Sequence, residues 1–482
     1  MSSPSAVPVR FGADAPAPAP MTWGQLAIWD VLRWLPADDD SLNQLDWLPV
    51  PDGTRLDQVT AALRIVVERH QSLRTTYAEE DGRPVQRVLA AGELALELSA
   101  ATAADLGEAA RALGDRLRRG AFDNAHDLPI RAAVLLRDGS PAAIVLVISH
   151  MAVDGWSFQV VTRDLRTLLG APVPTVDALP PRARQPVERA AFELSAGGER
   201  LEAATLEHWS SRLRSMSPTM LEKPAGPEAV SGDWARIDSP ATALAAEALA
   251  TRAGTNPGTV LMAMLALLLA FRVDEPEAAM RLIVTTRFTA EDRDFVGAFN
   301  QNALLHLRLR EESAQQYLRR AAASAFAAYR RCEADPRKVE QLVADIARER
   351  GFTPDGYCFF NDVRFTGADR SARAQGDRTG PAPEAVTAAL GRTRLERLHK
   401  DERQKGAKLF VYLQELQRTC RITLCLDPAF LGSYRGVDLL ADLERLLVRS
   451  AIDPDASVAE VRRSISPALS ATTGHDKEED IT

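Results

Sequence analysis

The run Ala142-Ala-Ile-Val-Leu-Val-Ile-Ser149 constrains the fold of this chain more than any other segment. It is apolar at nearly every position and rich in β-branched side chains, which marks a strand. Successive side chains of a strand point to opposite faces, so a strand without polar alternation has to be covered on both. The run before it, IRAAVLL (130–136), is strand-like too. Asp138-Gly139 between the two tolerates positive φ, so a hairpin is expected. Helical patterning is also present. Leu56, Val59, Leu63, Val66 and Val67 fall at 3.6-residue spacing, and residues 105–118 repeat that character.

The chain has 482 residues, more than one hydrophobic core usually serves, since single cores stop growing near roughly 250–300 residues. Two units are therefore expected. The proline-rich stretch PVPTVDALPPRARQP (172–186) lacks periodicity and reads as the connector. The expected division is a disordered tail at 1–20, an N-terminal unit at 21–171, a linker at 172–190, a C-terminal unit at 191–464 and a disordered tail at 465–482. In the second half a helix is expected near 203–213. Asn256-Pro257 then caps a helix that is apolar all round (VLMAMLALLLAF). A strand ends at Arg287, helices follow near 314–333 and 336–350, and GYCFFNDVRF is strand-like. The Gly/Ala/Arg-rich stretch 368–387 is expected to be a mobile loop. KLFVYLQE and CRITLCLD are expected to pair before a last helix at 436–449. Alternating helices and strands place the chain in the α/β class.

A net charge of −8 argues against a nucleic-acid binder, which would cluster Lys and Arg. Cys332, Cys358, Cys420 and Cys425 are irregularly spaced with no C-x-x-C, so neither a zinc site nor a disulfide framework is suggested. The longest apolar run, Val260 to Phe271, is too short to span a bilayer as a helix. The N-terminus lacks the apolar segment of a signal peptide. The expectation is a soluble cytoplasmic protein with no membrane or nucleic-acid partner.

Directly after the buried strand, His150, Asp154 and Gly155 form H-x-x-x-D-G. A loop at a strand end holds its side chains in a fixed place. An imidazole there can accept a proton near neutral pH. Asp154 is suited to orient that ring or to anchor the loop through an arginine, and Gly155 permits a turn that a Cβ would hinder. A metal pair at i, i+4 is disfavoured, because the preceding run is a strand and no third ligand is evident.

Five segments in order resemble the condensation-domain superfamily of nonribosomal peptide synthetases. SHMAVDGWSFQVVTRDLRTLL is similar to its H-H-x-x-x-D-G core motif, with Trp156 and Ser157 following. MTWGQLAIWD resembles its opening motif, VERHQSLRTTY its R-H-x-x-L-R-T-x-F segment, and FDNAHDLPIRAAVL its F-D-x-x-x-x-P-x-R-x-x-L stretch. TTRFTAEDRDFVGAFNQNALLHLRL resembles the G-R … G-x-F-x-N-T-x-x-x-R region, more loosely after Phe299, and Asn302 there is kept as a candidate. The resemblance implies two chloramphenicol-acetyltransferase-like subdomains in a V-shaped arrangement, with a central tunnel. Through it the phosphopantetheine arms of carrier proteins reach His150. It implies that His150 deprotonates or positions the attacking amine and that Asp154 is a structural carboxylate, for which Arg287 is the candidate partner. The Gly155 N–H is a candidate contact for the oxyanion.

The sequence departs from that pattern in two places. Ser149 replaces the first histidine, which weakens the match to a chain-elongating enzyme more than it weakens catalysis. A nucleophilic Ser149 is disfavoured, since adjacent side chains at a strand end face opposite ways. The D-F-G-W-G motif is missing; FFNDVRF lies in that region, where Asn361 and Asp362 either line the tunnel or, as favoured here, end a strand. No room is seen for an adenylation or carrier domain. The expectation is a free-standing condensation enzyme with no cofactor of its own. It would take an acyl group from a carrier protein supplied in trans and pass it to a small-molecule amine. An alcohol acceptor, giving an ester, is the near alternative; a non-catalytic module that recruits a carrier protein or enzyme is the distant one.

Overall fold

The computed structural model describes residues 5–101, 105–217, 231–353, 358–364, 380–400, 404, 406–429 and 434–465. The chain opens with strands β1 (Ser5–Gly12) and β2 (Ala19–Pro20), helix α1 (Trp23–Trp34), strand β3 (Asn43–Pro49) and helix α2 (Leu56–Arg69). Strands β4 (Thr75–Glu80), β5 (Arg83–Val88) and β6 (Ala91–Ala100) lead to helix α3 (Leu106–Arg118). The hairpin of β7 (Ile130–Arg137) and β8 (Ser140–Ser149) follows, then helices α4 (Gly155–Leu169), α5 (Pro186–Glu193) and α6 (Ala196–Leu213).

The second half begins with strand β9 (Asp233–Ser239), helices α7 (Pro240–Ala253) and α8 (Pro257–Arg272), and strands β10 (Glu277–Thr285) and β11 (Asn300–Arg308). Helices α9 (Ala314–Tyr329) and α10 (Pro336–Arg350), strand β12 (Cys358–Asp362) and helix α11 (Pro383–Ala389) come next. Strands β13 (Arg394–Leu398), β14 (Leu409–Leu416) and β15 (Cys420–Leu426) precede helices α12 (Gly436–Ile452) and α13 (Val458–Arg462).

These elements form two units. The first comprises Met1–Leu206, Val284–Gln301 and Glu333–Glu340; the second comprises Glu207–Ile283, Asn302–Cys332 and Gln341–Thr482. The first is built on a sheet in the order β1-β6-β7-β8-β3, with a small sheet β2-β5-β4 beside it. Asp138 (φ 53°) and Gly139 (φ 79°) make the β7–β8 turn, the two left-handed residues a I′ hairpin needs. In β8, Ile144, Leu146 and Ile148 pack into a core with Val59, Leu63 and Val66 of α2 and Val161 and Leu165 of α4. The alternate residues Ala143 and Val145 pack on the other side against Ala109, Ala110 and Leu113 of α3. The strand is thus covered on both faces, and each buried Val, Leu or Ile contributes about 1.5–3 kcal/mol. That rigidity fixes where β8 ends.

The second unit carries a sheet in the order β11-β10-β12-β14-β15-β9-β13, in which β12 runs parallel to β10 and β14. Helix α8, apolar all round, is buried along its whole length among α7, α9 and α12. Asn256 caps it, accepting the Thr259 N–H at 2.9 Å. Among the described residues no single helix is long and apolar enough to cross a membrane.

Three expectations differ from what is seen. Residues 5–12 of the expected disordered tail form β1, paired with β6 from Ser5↔Leu98 to Gly12↔Ala91. The reason is two-residue alternation that buries Val9 and Phe11. The chain divides at Leu206 and Glu207 rather than within 172–190, and α5 begins inside that expected linker. The proline-rich run is a surface connector within the first unit; Arg69 Nη2 donates to the carbonyl of Pro180 (2.6 Å). Of the expected loop 368–387, residues 383–387 lie in α11, and 368–379 fall outside the described residues, as does the expected tail from 466 onward.

Candidate functional site

The last residue of β8 turns the chain sharply, because the Ser149 carbonyl accepts both the Ala152 N–H (2.9 Å) and the Val153 N–H (3.2 Å). His150 sits at the head of this turn, half-buried. Its backbone N–H donates to the Leu42 carbonyl (3.0 Å). Its ring Nδ1 lies 2.7 Å from the Val153 carbonyl oxygen. A carbonyl can only accept, so Nδ1 carries the hydrogen, and a neutral ring then presents the lone pair of Nε2. Nε2 has no protein partner among the described residues.

Four residues on, Asp154 caps α4, accepting the Ser157 N–H on Oδ1 at 2.8 Å. Its side chain is fully buried and engages Arg287 bidentately, Nη1 to Oδ2 at 2.8 Å and Nη2 to Oδ1 at 2.9 Å. The Phe299 N–H donates to Oδ2 at 3.3 Å. Burial by itself would push this carboxyl upward. The Arg287 charge and hydrogen bonds, with those of Ser157, outweigh that and hold it below the usual carboxylate range. Arg287 Nη2 also donates to Ser157 Oγ (2.7 Å) and to the Phe295 carbonyl (2.9 Å). Ser157 Oγ in turn donates to the Gly297 carbonyl (2.8 Å) and accepts the Gly297 N–H (3.0 Å). The segment Val284–Gln301 is thereby stitched to the start of α4 beneath the histidine turn.

Trp156 reinforces the same seam, with Nε1 donating to the Arg293 carbonyl at 2.9 Å. Gly155 is the first residue of α4, and its N–H takes no protein acceptor among the described residues. Ser149 is 4% exposed, and its Oγ accepts the Met151 N–H at 3.3 Å, a structural engagement rather than a presented nucleophile. His150, Asp154, Gly155, Trp156 and Arg287 therefore gather in the first unit. Asn302 and Asn361 stand in the second, half-buried on β11 and β12. Asp362 closes β12 and binds Arg364 through two hydrogen bonds (2.8 and 2.6 Å).

Several contributors were not singled out from sequence. Gly24, in the first turn of α1, lies so near the segment Val284–Gln301 that a Cβ there would fall 2.2 Å from the Ala298 carbonyl oxygen. The Trp23 N–H donates to Glu193 Oε2 (2.9 Å), and Glu193 shares Arg189 with Glu333 (2.8 and 2.6 Å). Burial pushes Glu193 up to about 7, although the Arg189 charge pulls the other way. His70 Nε2 lies 3.0 Å from Asp164 Oδ2, which joins the R-H and R-D-L segments inside the unit. Tyr77 donates its hydroxyl to the Met151 carbonyl (3.1 Å). The glycine and the tyrosine sit within quoted motifs, but nothing local in those motifs names their partners. Among the described residues no group of three His, Cys, Asp or Glu side chains is placed to hold a metal ion. The arrangement offers a fixed imidazole with one free ring nitrogen and, five residues on in the chain, an unpaired helix N-terminal N–H.

Comparison with known proteins gives a consistent result. A condensation-domain family model matches residues 37–350. The AMB antimetabolite synthetase AmbB of Pseudomonas aeruginosa is 31% identical over 316 residues, covering 63% of this chain and 25% of that protein. Among solved structures, the condensation domain of the Monacolin K polyketide synthase MokA superposes with a TM-score of 0.66 at 15% identity, covering 92% of this chain and all of that one. The X-domain from teicoplanin biosynthesis, also solved in complex with OxyB, gives 0.69 at 17% identity over 93% of this chain and 98% of that one. The chain spans no more than 28% of the length of the curated relatives compared.

Proposed function

The chain belongs to the condensation-domain family, and from that premise we propose that it is an acyltransferase of natural-product biosynthesis. It takes an acyl or aminoacyl group from the phosphopantetheine thioester of a carrier protein supplied in trans and passes it to a small-molecule amine, forming an amide in the cytoplasm. The observation that carries this reading is the His150 ring, whose Nδ1 is tied to the Val153 carbonyl at 2.7 Å while Nε2 is left open.

In this reading the amine nitrogen attacks the thioester carbon, Nε2 takes the proton that the nitrogen sheds, and the carbon–sulfur bond breaks. The same proton is then given to the departing sulfur. Hydrogen bonding of Nδ1–H to the Val153 carbonyl keeps the ring from turning and leaves the Nε2 lone pair for the amine proton. Negative charge developing on the acyl oxygen is met by the Gly155 N–H at the start of α4. Asp154 and Arg287 touch no substrate; they hold the turn. The same base serves a hydroxyl acceptor, which would give an ester.

A second reading is favoured by Ser149 in place of the first motif histidine, together with the likeness to the X-domain solved with OxyB. In it the chain is a non-catalytic module that recruits a carrier protein or another enzyme. The test is intact-mass spectrometry of acyl-loaded carrier protein incubated with a panel of amines and alcohols, for wild type and His150→Ala. The expected outcome is product from wild type and a loss of about 10²–10⁴-fold in the variant. The acceptor consumed decides amide against ester. Equal conversion by both proteins removes His150 as the base, and carrier binding without turnover by either selects the recruiting module.

A further inference from the structure

Met151, the residue after His150, is gripped on both sides of its backbone by side chains. Its N–H donates to Ser149 Oγ (3.3 Å), and its carbonyl accepts the Tyr77 hydroxyl (3.1 Å). Tyr77, Ser149 and Met151 are 1%, 4% and 0% exposed, so both bonds form away from water, where a lost partner leaves a costly unsatisfied group. Both gripping residues stand where the sequence leaves the pattern it otherwise resembles: Ser149 at the first histidine, Tyr77 at the phenylalanine that ends R-H-x-x-L-R-T-x-F. A phenylalanine at 77 has no hydroxyl to donate.

The position of Met151 gives the two bonds their consequence. The turn from His150 to Val153 closes on the Ser149 carbonyl, and its far end presents the Val153 carbonyl to His150 Nδ1. Met151 lies in the middle of that turn. Its side chain is fixed among Met21, Trp23, Leu26 and Tyr77. Tyr77 is itself set by β4, whose Tyr77 N–H donates to the Asn124 carbonyl (2.7 Å). Freeing either side of the Met151 backbone lets the turn shift, and the Val153 carbonyl then leaves Nδ1. The ring is then free to place its hydrogen on Nε2, the nitrogen that has to be bare to accept a proton.

We propose that Ser149 and Tyr77 are a paired positioning device that clamps the Met151 backbone and so holds His150 in its Nδ1–H tautomer. The kinetic part of this proposal rests on the acyl-transfer reading; the tautomer part does not.

The test uses the full chain labelled with ¹⁵N-histidine, the His150 signals being assigned by their loss in His150→Gln. Tyr77→Phe, Ser149→Ala and Ser149→Thr are compared with wild type. In wild type, Nδ1–H is expected to dominate. Tyr77→Phe and Ser149→Ala are each expected to shift the tautomer ratio toward Nε2–H by about three- to tenfold, the worth of one buried hydrogen bond. Ser149→Thr, which keeps a hydroxyl, is expected to stay at the wild-type ratio. If the enzyme turns over, kcat falls by the same factor as the bare-Nε2 population while KM holds. An unchanged tautomer ratio in both Tyr77→Phe and Ser149→Ala overturns the proposal, whatever happens to stability or rate. Should Ser149→Ala fail to fold, Tyr77→Phe tests the carbonyl side alone by the same ratio. If no protein transfers an acyl group yet the ratio shifts, the clamp stands and only the acyl-transfer reading falls.

Discussion

Replacing Asp154 by asparagine alters shape hardly at all and removes one buried charge. The side-chain oxygen that caps α4 survives, so the Ser157 N–H keeps its acceptor. The new amide faces Arg287 Nη1 and the Phe299 N–H with donors against donors. Arg287 is only 3% exposed, so its charge is stranded without a counter-ion. Breaking one side of a buried pair costs about 3–5 kcal/mol, a large part of the roughly 5–15 kcal/mol that holds a domain folded. Asp154→Ala also loses the cap, for about 1 kcal/mol more. With a urea dependence of about 3 kcal/mol/M, the Asn substitution lowers the unfolding midpoint by about 1–2 M. A chain of two units need not unfold in one step, so the measurement should be local: hydrogen exchange of the α4 amides across a urea series. The double variant Asp154→Asn/Arg287→Met, which removes the stranded charge, is expected to recover part of the loss. The pH dependence has a definite sign. The Asp154 carboxyl is depressed in the folded state, so its stabilisation is present above the unfolded value of about 3.9 and lost as pH falls through the lower folded one. The gap between wild type and Asp154→Asn should therefore close in strong acid. A cost below about 1 kcal/mol at pH 7 would refute the Asp154–Arg287 pair as what holds the histidine turn.

Two further outcomes are expected. Glu193 has a folded value near 7, above the unfolded value of about 4.3, so its contribution is full below about pH 4.3 and lost as pH rises through about 7. Urea midpoints at pH 5, 6, 7 and 8 should show Glu193→Gln flattening that decline. Gly24→Ala forces a Cβ against the Ala298 carbonyl, a backbone atom no rotamer change can move, and should destabilise by about 1–3 kcal/mol. Gly12→Ala, with open space around it, should leave the melting temperature unchanged.

What was legible in the sequence was local. The apolar run of β8, the Asp138-Gly139 turn, the periodicity of α2 and the Asn256-Pro257 start of α8 are signals written within a few residues, and each appears as an element at that place. The His150 turn was legible because a motif follows a strand, and Arg287 because the family resemblance implied an arginine partner for Asp154, which accords with a buried carboxylate's need for a counter-charge. Proline and alanine around residues 13–20 obscured the alternation of Val9 and Phe11 in β1, since composition and pattern pointed opposite ways. The division of the chain was misplaced because flexible composition marks a surface run and says nothing of which core each side joins. Gly24 and Tyr77 act through residues about 274 and 74 positions away, respectively, and no local pattern announces such distant contacts.

The excursion Val284–Gln301 has a consequence for how a protein of this kind can be taken apart. It joins the first unit although it is far along the chain from Leu206, and its arginine neutralises the aspartate of that same unit. A fragment cut after Leu206 would carry the whole histidine motif without its counter-ion. A chimera joined at that point would inherit the motif from one parent and the arginine, with the backbone that receives it, from the other. The segment therefore ties residues far apart in sequence into one heritable cassette: recombination can exchange the whole, while a crossover between the motif and Gln301 has to find a matching seam or lose the site.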